Sequence, residues 1–219
     1  PVATPVQQPV YAAMGPVAKT APAPAAAPAA QAAAHAELYA MGSGEAMLRA
    51  FHHRYGLDYV GLRYMNVYGP RQDYHGAYIV VIMKMLDAID RGESPTILGD
   101  GTEAFDFVAV EDCGLANVCA MKAEVTDRFY NVGTGTRTSL RELAELILEI
   151  TGSTKPIAYA PRSQKTLVRN RIGSPVRASK EIGFTSRVAL RDGLERLIAW
   201  RASHMSEVES RRRAVGLSA

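Results

Sequence analysis

The sequence predicts an α/β fold, and three observations carry that expectation. From about residue 43 onward, segments of strand character alternate with segments of helical periodicity, as in chains that lay helices on a sheet. Ser139-Leu140-Arg141-Glu142 has the spacing of a capping box and opens a stripe of Leu140, Leu143, Leu146, Ile147 and Ile150, which fixes a helix start and its buried face. Gly99-Asp100-Gly101 and Gly133-Thr134-Gly135 each follow a short β-rich run and read as the turns that end two strands.

Residues 1–36 differ from the rest. They hold 15 Ala and 7 of the chain's 12 Pro, with Lys19 as the one full charge. Such a segment has little to bury and would lose about 1–2 kcal/mol of backbone entropy per residue ordered. It reads as a disordered or extended arm, with the arm drawn at 1–42, a folded part at 43–205 and a basic tail at 206–219. In the folded part, Ser43 to Phe51 reads as a helix stopped by Gly56, and Leu57 to Met65 as a strand. Asn66 to Asp73 reads as a loop, Ala77 to Arg91 as a helix closed by Gly92, and Thr96 to Leu98 as a short strand. Phe105 to Val110 reads as a strand with Asp106 inside it, Asp112 as the cap of a helix to Lys122, and Arg128 to Val132 as a strand. After the capped helix come a strand at Pro156 to Tyr159, a helical Ser179 to Ile182 and an amphipathic helix from Ala189 to Ala202.

Composition narrows the class. The 219 residues are 47% hydrophobic and 21% charged, with 25 Lys and Arg against 22 Asp and Glu. A net charge of +3 is too small to argue for a nucleic-acid partner. The one basic cluster, Arg211-Arg212-Arg213, reads as a solvated helix end. The longest apolar run, Ile79 to Met83, is far below the roughly 20 residues of a membrane span. No basic-then-apolar leader opens the sequence, so a soluble, cytoplasmic protein is expected. Cys113 and Cys119 exclude a disulfide framework and a four-cysteine zinc site, and read as buried apolar side chains. His52 and His53 are neighbours without the spacing of a zinc pair.

Five phrases then resemble one family in its own order. Leu62-Arg63-Tyr64-Met65-Asn66-Val67-Tyr68-Gly69-Pro70-Arg71-Gln72 resembles the "LR-x-FNVYGPRQ" segment of extended short-chain dehydrogenases, the NAD-dependent sugar-nucleotide epimerases and dehydratases. Pro95 to Gly101, Asp106 to Asp112, Phe129 to Gly135 and Leu194 to Trp200 resemble the family's "LTIYGDG", "RDFVYVDD", "YNVGTG" and closing "GL-x-x-x-I-x-W". The resemblance covers about residues 44–203. It implies the end of a Rossmann-like parallel sheet, plus the smaller C-terminal α/β lobe that binds substrate. It also implies a nucleotide-sugar substrate, NAD as cofactor, a possible homodimer, and isomerase or lyase chemistry. By the same resemblance Tyr64 and Met65 lie by the cofactor's nicotinamide. Asn66 touches the sugar nucleotide and can also be read as a turn residue. Arg71, Arg169 and Arg171 are candidate phosphate partners. Segments near Val80-Val81 and Thr96-Ile97-Leu98 would face the base, or serve simply as core.

Three family features are missing from these residues. None of the 18 glycines forms Gly-x-x-Gly-x-x-Gly or Gly-x-Gly-x-x-Gly, the turn that lets backbone N–H groups approach a pyrophosphate. None of the ten tyrosines has Lys four residues on, the pair that would carry acid–base chemistry. Registered on Gly44-Glu45-Ala46, Glu37 and Met41 stand at those two places. The family's arginine before Asp106 is Phe105 here, which supplies no forked, charged donor. Two functions are therefore expected: the C-terminal, substrate-binding part of an NAD-dependent epimerase or dehydratase, inactive alone, or a non-catalytic sugar-nucleotide-binding or interaction module tethered by the Ala/Pro arm.

Overall fold

A computed structural model describes residues 29–72, 81–162 and 169–214, with side chains from Gly42 onward. The chain divides into two compact units, residues 1–41 and 42–219. The first described element is helix α1, Ala29–Tyr55. It starts well before Ser43 and inside the stretch read as a disordered arm. The reason is local: Pro28 is the last proline before it, and the Ala-rich run that follows has the highest helix propensity available. Residues 1–28 lie outside the described residues.

Within the second unit the chain passes through β1 (Val60–Tyr64), β2 (Asn66–Tyr68), α2 (Val81–Asp90), β3 (Thr96–Leu98), β4 (Ala104–Phe105), β5 (Phe107–Ala109), α3 (Val110–Lys122) and β6 (Arg128–Val132). It continues through β7 (Thr138–Ser139), α4 (Leu140–Thr151), β8 (Ala158–Ala160), β9 (Asn170–Arg171), α5 (Val176–Ile182), α6 (Leu190–Ser203) and α7 (Met205–Ala214). The α/β reading stands. β1 pairs with β6 in parallel, Val60 opposite Arg128 through Tyr64 opposite Val132. β2 pairs with β5 and β3 with β8, also in parallel. β4 lies between β7, antiparallel, and β9, parallel. Residues 73–80 and 163–168 lie outside the description, so the start of the helix expected from Ala77 and the base-facing Val80 do too.

Three readings need correction. Asn66 to Tyr68 is a strand and not part of a loop, because β5 supplies it a parallel partner some forty residues downstream. Asp112 does not cap α3: the N-cap is Ala109, without a side-chain bond, and Asp112 is buried, accepting the backbone N–H groups of Arg187 and Val188 at 2.9 and 3.1 Å. The basic tail is helix α7, in which Val208 and Arg212 are buried and Arg211 donates to the Arg71 carbonyl at 2.8 Å.

Two apolar cores meet at β5. Phe107 and Ala109 face one core, built with Tyr68 and with Ile82, Met85 and Leu86 of α2, Leu143 and Ile147 of α4, Leu194 and Leu197 of α6 and Val208 of α7. Val108, between them, faces the other, with Tyr130 and Val132 of β6, Ala116 of α3, and Ala178, Ile182 and Phe184 around α5. The period of two along a strand makes β5 the wall between them. Burial pushes the Tyr130 hydroxyl up to about 12, with the bond it donates to Glu181 adding to the shift.

The capping box forms as read. Ser139 Oγ accepts the Glu142 N–H at 3.2 Å, and the Glu142 carboxylate accepts the Ser139 N–H at 2.7 Å. Gly152, with φ of 65°, ends the helix in the left-handed region. The Ser139 bonds hold the Glu142 carboxyl below its ordinary value. A depressed acid stabilises the fold above its unfolded pKa and loses that contribution as pH falls through the folded one. Ser139→Ala should therefore lower stability by about 1 kcal/mol at pH 7. Denaturation series at falling pH should show the gap to the parent narrowing below the ordinary glutamate range. A gap that stays constant would show that the Glu142 charge plays no part in the cap.

Candidate functional site

β1 and β6 run side by side, and both end at the same level. The residues that leave them, Met65-Asn66 and Gly133-Thr134-Gly135, form one cluster around Asp106. Asp106 breaks the strand between β4 and β5 and is fully buried. Its Oδ1 accepts the Thr134 N–H at 2.9 Å and the Thr134 hydroxyl at 2.7 Å; its Oδ2 accepts the Gly135 N–H at 2.9 Å. Its carbonyl accepts the Asn66 N–H at 2.9 Å and Asn66 Nδ2 at 3.3 Å, and its own N–H donates to the Arg171 carbonyl at 2.9 Å. Gly133 has to be glycine here, since an added Cβ would lie 2.3 Å from Asp106 Oδ2 and 2.7 Å from Met65 Cγ.

Of the expected site residues, Asn66 and Arg171 meet on the backbone of Asp106, and Met65 lies beside them against Gly133. Asn66 opens a strand and is not the turn residue that its type also suggested. Met65 donates its N–H to the Val132 carbonyl at 2.9 Å and lays its side chain against Gly133 and Gly173. Tyr64 is half-exposed, and its hydroxyl accepts from Asn117 Nδ2 at 2.8 Å. Arg169 precedes β9, is exposed and gives its carbonyl to the Ala104 N–H. Arg171 is exposed on β9, opposite Phe105. Arg71 belongs elsewhere: it sits at φ of 63° with its carbonyl held by Arg211 of α7. Phe105 packs against Phe107, ring centroids 6.2 Å apart, and against the larger core. Thr96 to Leu98 is strand β3, with Ile97 buried.

Asp106 stood in a matched phrase but was given no role. Its signal was a carboxylate inside a short apolar strand, between two phenylalanines that pack together and leave it the opposite face. Near the same end of β1, Arg63 forks onto the Glu45 carboxylate and ties α1 to the sheet. That bond holds the Glu45 carboxyl below its ordinary value. Burial, with the Asp112 charge beside it, pushes the Cys113 thiol up to about 11, as suits an unreactive core cysteine. Among the described residues no group of three His, Cys, Asp or Glu is placed to hold a metal ion, and no helix is long and apolar enough to cross a membrane. A groove of about 480 Å³ runs along β1 and α3 and takes in Tyr64 alone of the expected residues. A second, of about 380 Å³, borders Thr134 and contains none of them.

In open α/β sheets the crevice beyond the carboxyl ends of the strands is where ligands commonly lie, and this cluster of polar groups stands at that place. Comparison with known proteins gives the family. The model for the NAD dependent epimerase/dehydratase family matches residues 15–133, and the chain belongs to that family. The match begins inside the Ala/Pro-rich segment, earlier than the phrase at Gly44. The UDP-glucose 4-epimerase of Mycolicibacterium smegmatis is 36% identical over 74% of this chain and 52% of its own length. The structure of Thermotoga maritima UDP-glucose 4-epimerase with UDP-glucose matches with a TM-score of 0.70 at 37% identity, over 74% of this chain and 52% of that one. The Thermus thermophilus UDP-glucose 4-epimerase complex with NAD matches with a TM-score of 0.64 at 28% identity, over 73% of this chain and 51% of that one. The chain thus spans about half the length of the relatives it matches, and its fold is their Rossmann-like α/β fold.

Proposed function

We propose that this chain is the nucleotide-sugar-binding part of an epimerase or dehydratase, with Asn66 and Arg171 as its contacts to substrate. The observation that carries this reading is the meeting of Asn66, Arg171 and the Gly133–Gly135 turn on Asp106, beyond the ends of β1 and β6. The chemistry suits a sugar diphosphate. Arg171 is an exposed, forked, permanently charged donor, Arg169 stands two residues before it, and Asn66 offers an amide on the other side of Asp106. The relative solved with UDP-glucose supports the ligand class.

NAD fits these residues poorly by themselves. The relative solved with NAD supports the cofactor for the family. A dinucleotide, however, needs a glycine turn at a helix start, and these 219 residues contain none. Met65, expected beside the nicotinamide, is packed against Gly133 and Gly173. A second reading, a nucleotide-sugar-binding module without catalysis, is favoured by one observation, the lack of a Tyr-x-x-x-Lys pair.

Titration calorimetry tests the proposal. The chain should bind UDP-glucose and give no heat with NAD up to millimolar concentration. Arg171→Ala should weaken UDP-glucose binding by about 10- to 100-fold, the worth of charge-assisted hydrogen bonds of ~1.5–3 kcal/mol. Its melting temperature should not move, because the side chain is exposed. Silence toward UDP-glucose, or equal affinity in Arg171→Ala, would sink the site, and micromolar NAD binding would overturn the division of labour.

A further inference from the structure

We propose that Asp106 is a positioning residue for nucleotide-sugar binding: its buried carboxylate holds the Gly133–Gly135 turn and its backbone holds Asn66 and Arg171, in one arrangement before a ligand arrives. The inference rests on the reading of Asn66 and Arg171 as substrate contacts. Asp106 touches no substrate on this account; it acts through the segments it joins.

Three features carry it. The carboxylate is fully buried, and the partners that meet it are N–H and O–H groups of a single turn, at 2.7 to 2.9 Å. A buried charge is tolerated only while its donors stay aligned, so the charge and the shape of the turn are locked together. The same residue's backbone bonds both Asn66 and Arg171, so the turn, the amide and the arginine strand share one anchor. Finally, Gly133 leaves no slack: the carboxylate oxygen stands 2.3 Å from where a Cβ would be. Turning that turn aside must move Asp106, and with it Asn66 and the Arg171 strand.

Asp106→Asn keeps the size of the side chain but aims an NH2 donor at an N–H or hydroxyl donor. In the free chain, amide exchange should quicken by about tenfold or more at Thr134 and Gly135, and also at Asn66 and position 106, whose bonds are purely backbone. UDP-glucose affinity should fall by about tenfold or more. Val208→Ala, which lowers the melting temperature from the buried face of α7, serves as the control for stability alone and should keep full affinity. If Asp106→Asn does not fold, Thr134→Val, which at constant shape removes the hydroxyl that donates to Asp106 and accepts the Thr136 N–H, should show the same four amides loosening to a smaller degree. Loosening confined to Thr134 and Gly135, or unchanged UDP-glucose affinity in Asp106→Asn, overturns the proposal. Should the parent chain bind no UDP-glucose, the substrate reading falls, while the exchange pattern still decides whether Asp106 is the shared anchor.

Discussion

Asp87→Ala should lower stability by about 3–5 kcal/mol, the range for removing one partner of a buried ion pair. Asp87 of α2 lies between two arginines from the last two helices. Arg201 of α6 donates to Asp87 Oδ1 at 2.7 Å and to Asp90 Oδ2 at 2.5 Å, and Arg212 Nε of α7 stands 3.8 Å from Asp87 Oδ2. Asp87, Arg201 and Arg212 are 7%, 3% and 6% exposed. Without Asp87, two buried guanidinium groups lose their shared carboxylate, and among the described residues Arg201 keeps the partly exposed Asp90. A charge held out of water without its counter-charge loses more than the ion pair itself is worth. Urea denaturation at neutral pH measures the loss. Adding Arg201→Met to Asp87→Ala should restore part of it, because the stranded charge goes too. A loss below 1 kcal/mol for Asp87→Ala would show that water reaches the cluster and that α7 is only loosely docked.

This network also shows where the sequence stopped being legible. Helices with a strong apolar stripe and a local stop signal, such as α4 with its capping box and Gly152, could be read because the cause lies within a few residues. The helix α7 could not be read as docked: Met205 to Ala214 carries a run of three arginines and little apolar surface. Its place depends on an aspartate more than a hundred residues earlier and on Val208 reaching the core. The strand β2 hid for a similar reason. Asn66-Val67-Tyr68 before Gly-Pro has loop chemistry, and only β5 makes it a strand. The arm reading ran too far because composition was averaged across Pro28, where proline ends and helix-forming alanine continues. At the site, a matched phrase picked out Asn66 and the resemblance offered Arg171, while Asp106 opened another matched phrase and was given no role. A buried aspartate bonded to backbone N–H groups has no spacing rule. Arg71 stood in the strongest phrase of all, and its backbone is tied to α7 instead.

The purified chain should self-associate at tens of micromolar, and the face between β1 and α3 should be the reason. Among the described residues β1 pairs with β6 alone, so the backbone groups along its other edge have no strand beside them. Parallel strands are ordinarily covered on both edges and both faces, and an uncovered edge beside apolar side chains recruits another chain. The face next to that edge is apolar as well. Met121 and Val118 of α3 are 84% and 46% exposed, and Tyr64 joins Met121 in lining the groove of about 480 Å³. Met47, Phe51 and Tyr55 of α1 add further exposed apolar surface. Burying a large apolar side chain contributes about 1.5–3 kcal/mol, and each 1.4 kcal/mol is about tenfold in affinity. Val118→Lys with Met121→Lys should therefore weaken association by about a hundredfold or more, since two such side chains leave the contact and charges enter it. Light scattering on a sizing column should show the parent above its monomer mass of 23.7 kDa and the double variant falling to it. The melting temperature of the variant should hold, because neither side chain belongs to a buried core. A parent chain that runs as a monodisperse monomer, melts sharply and binds no hydrophobic dye would show that this face needs no cover.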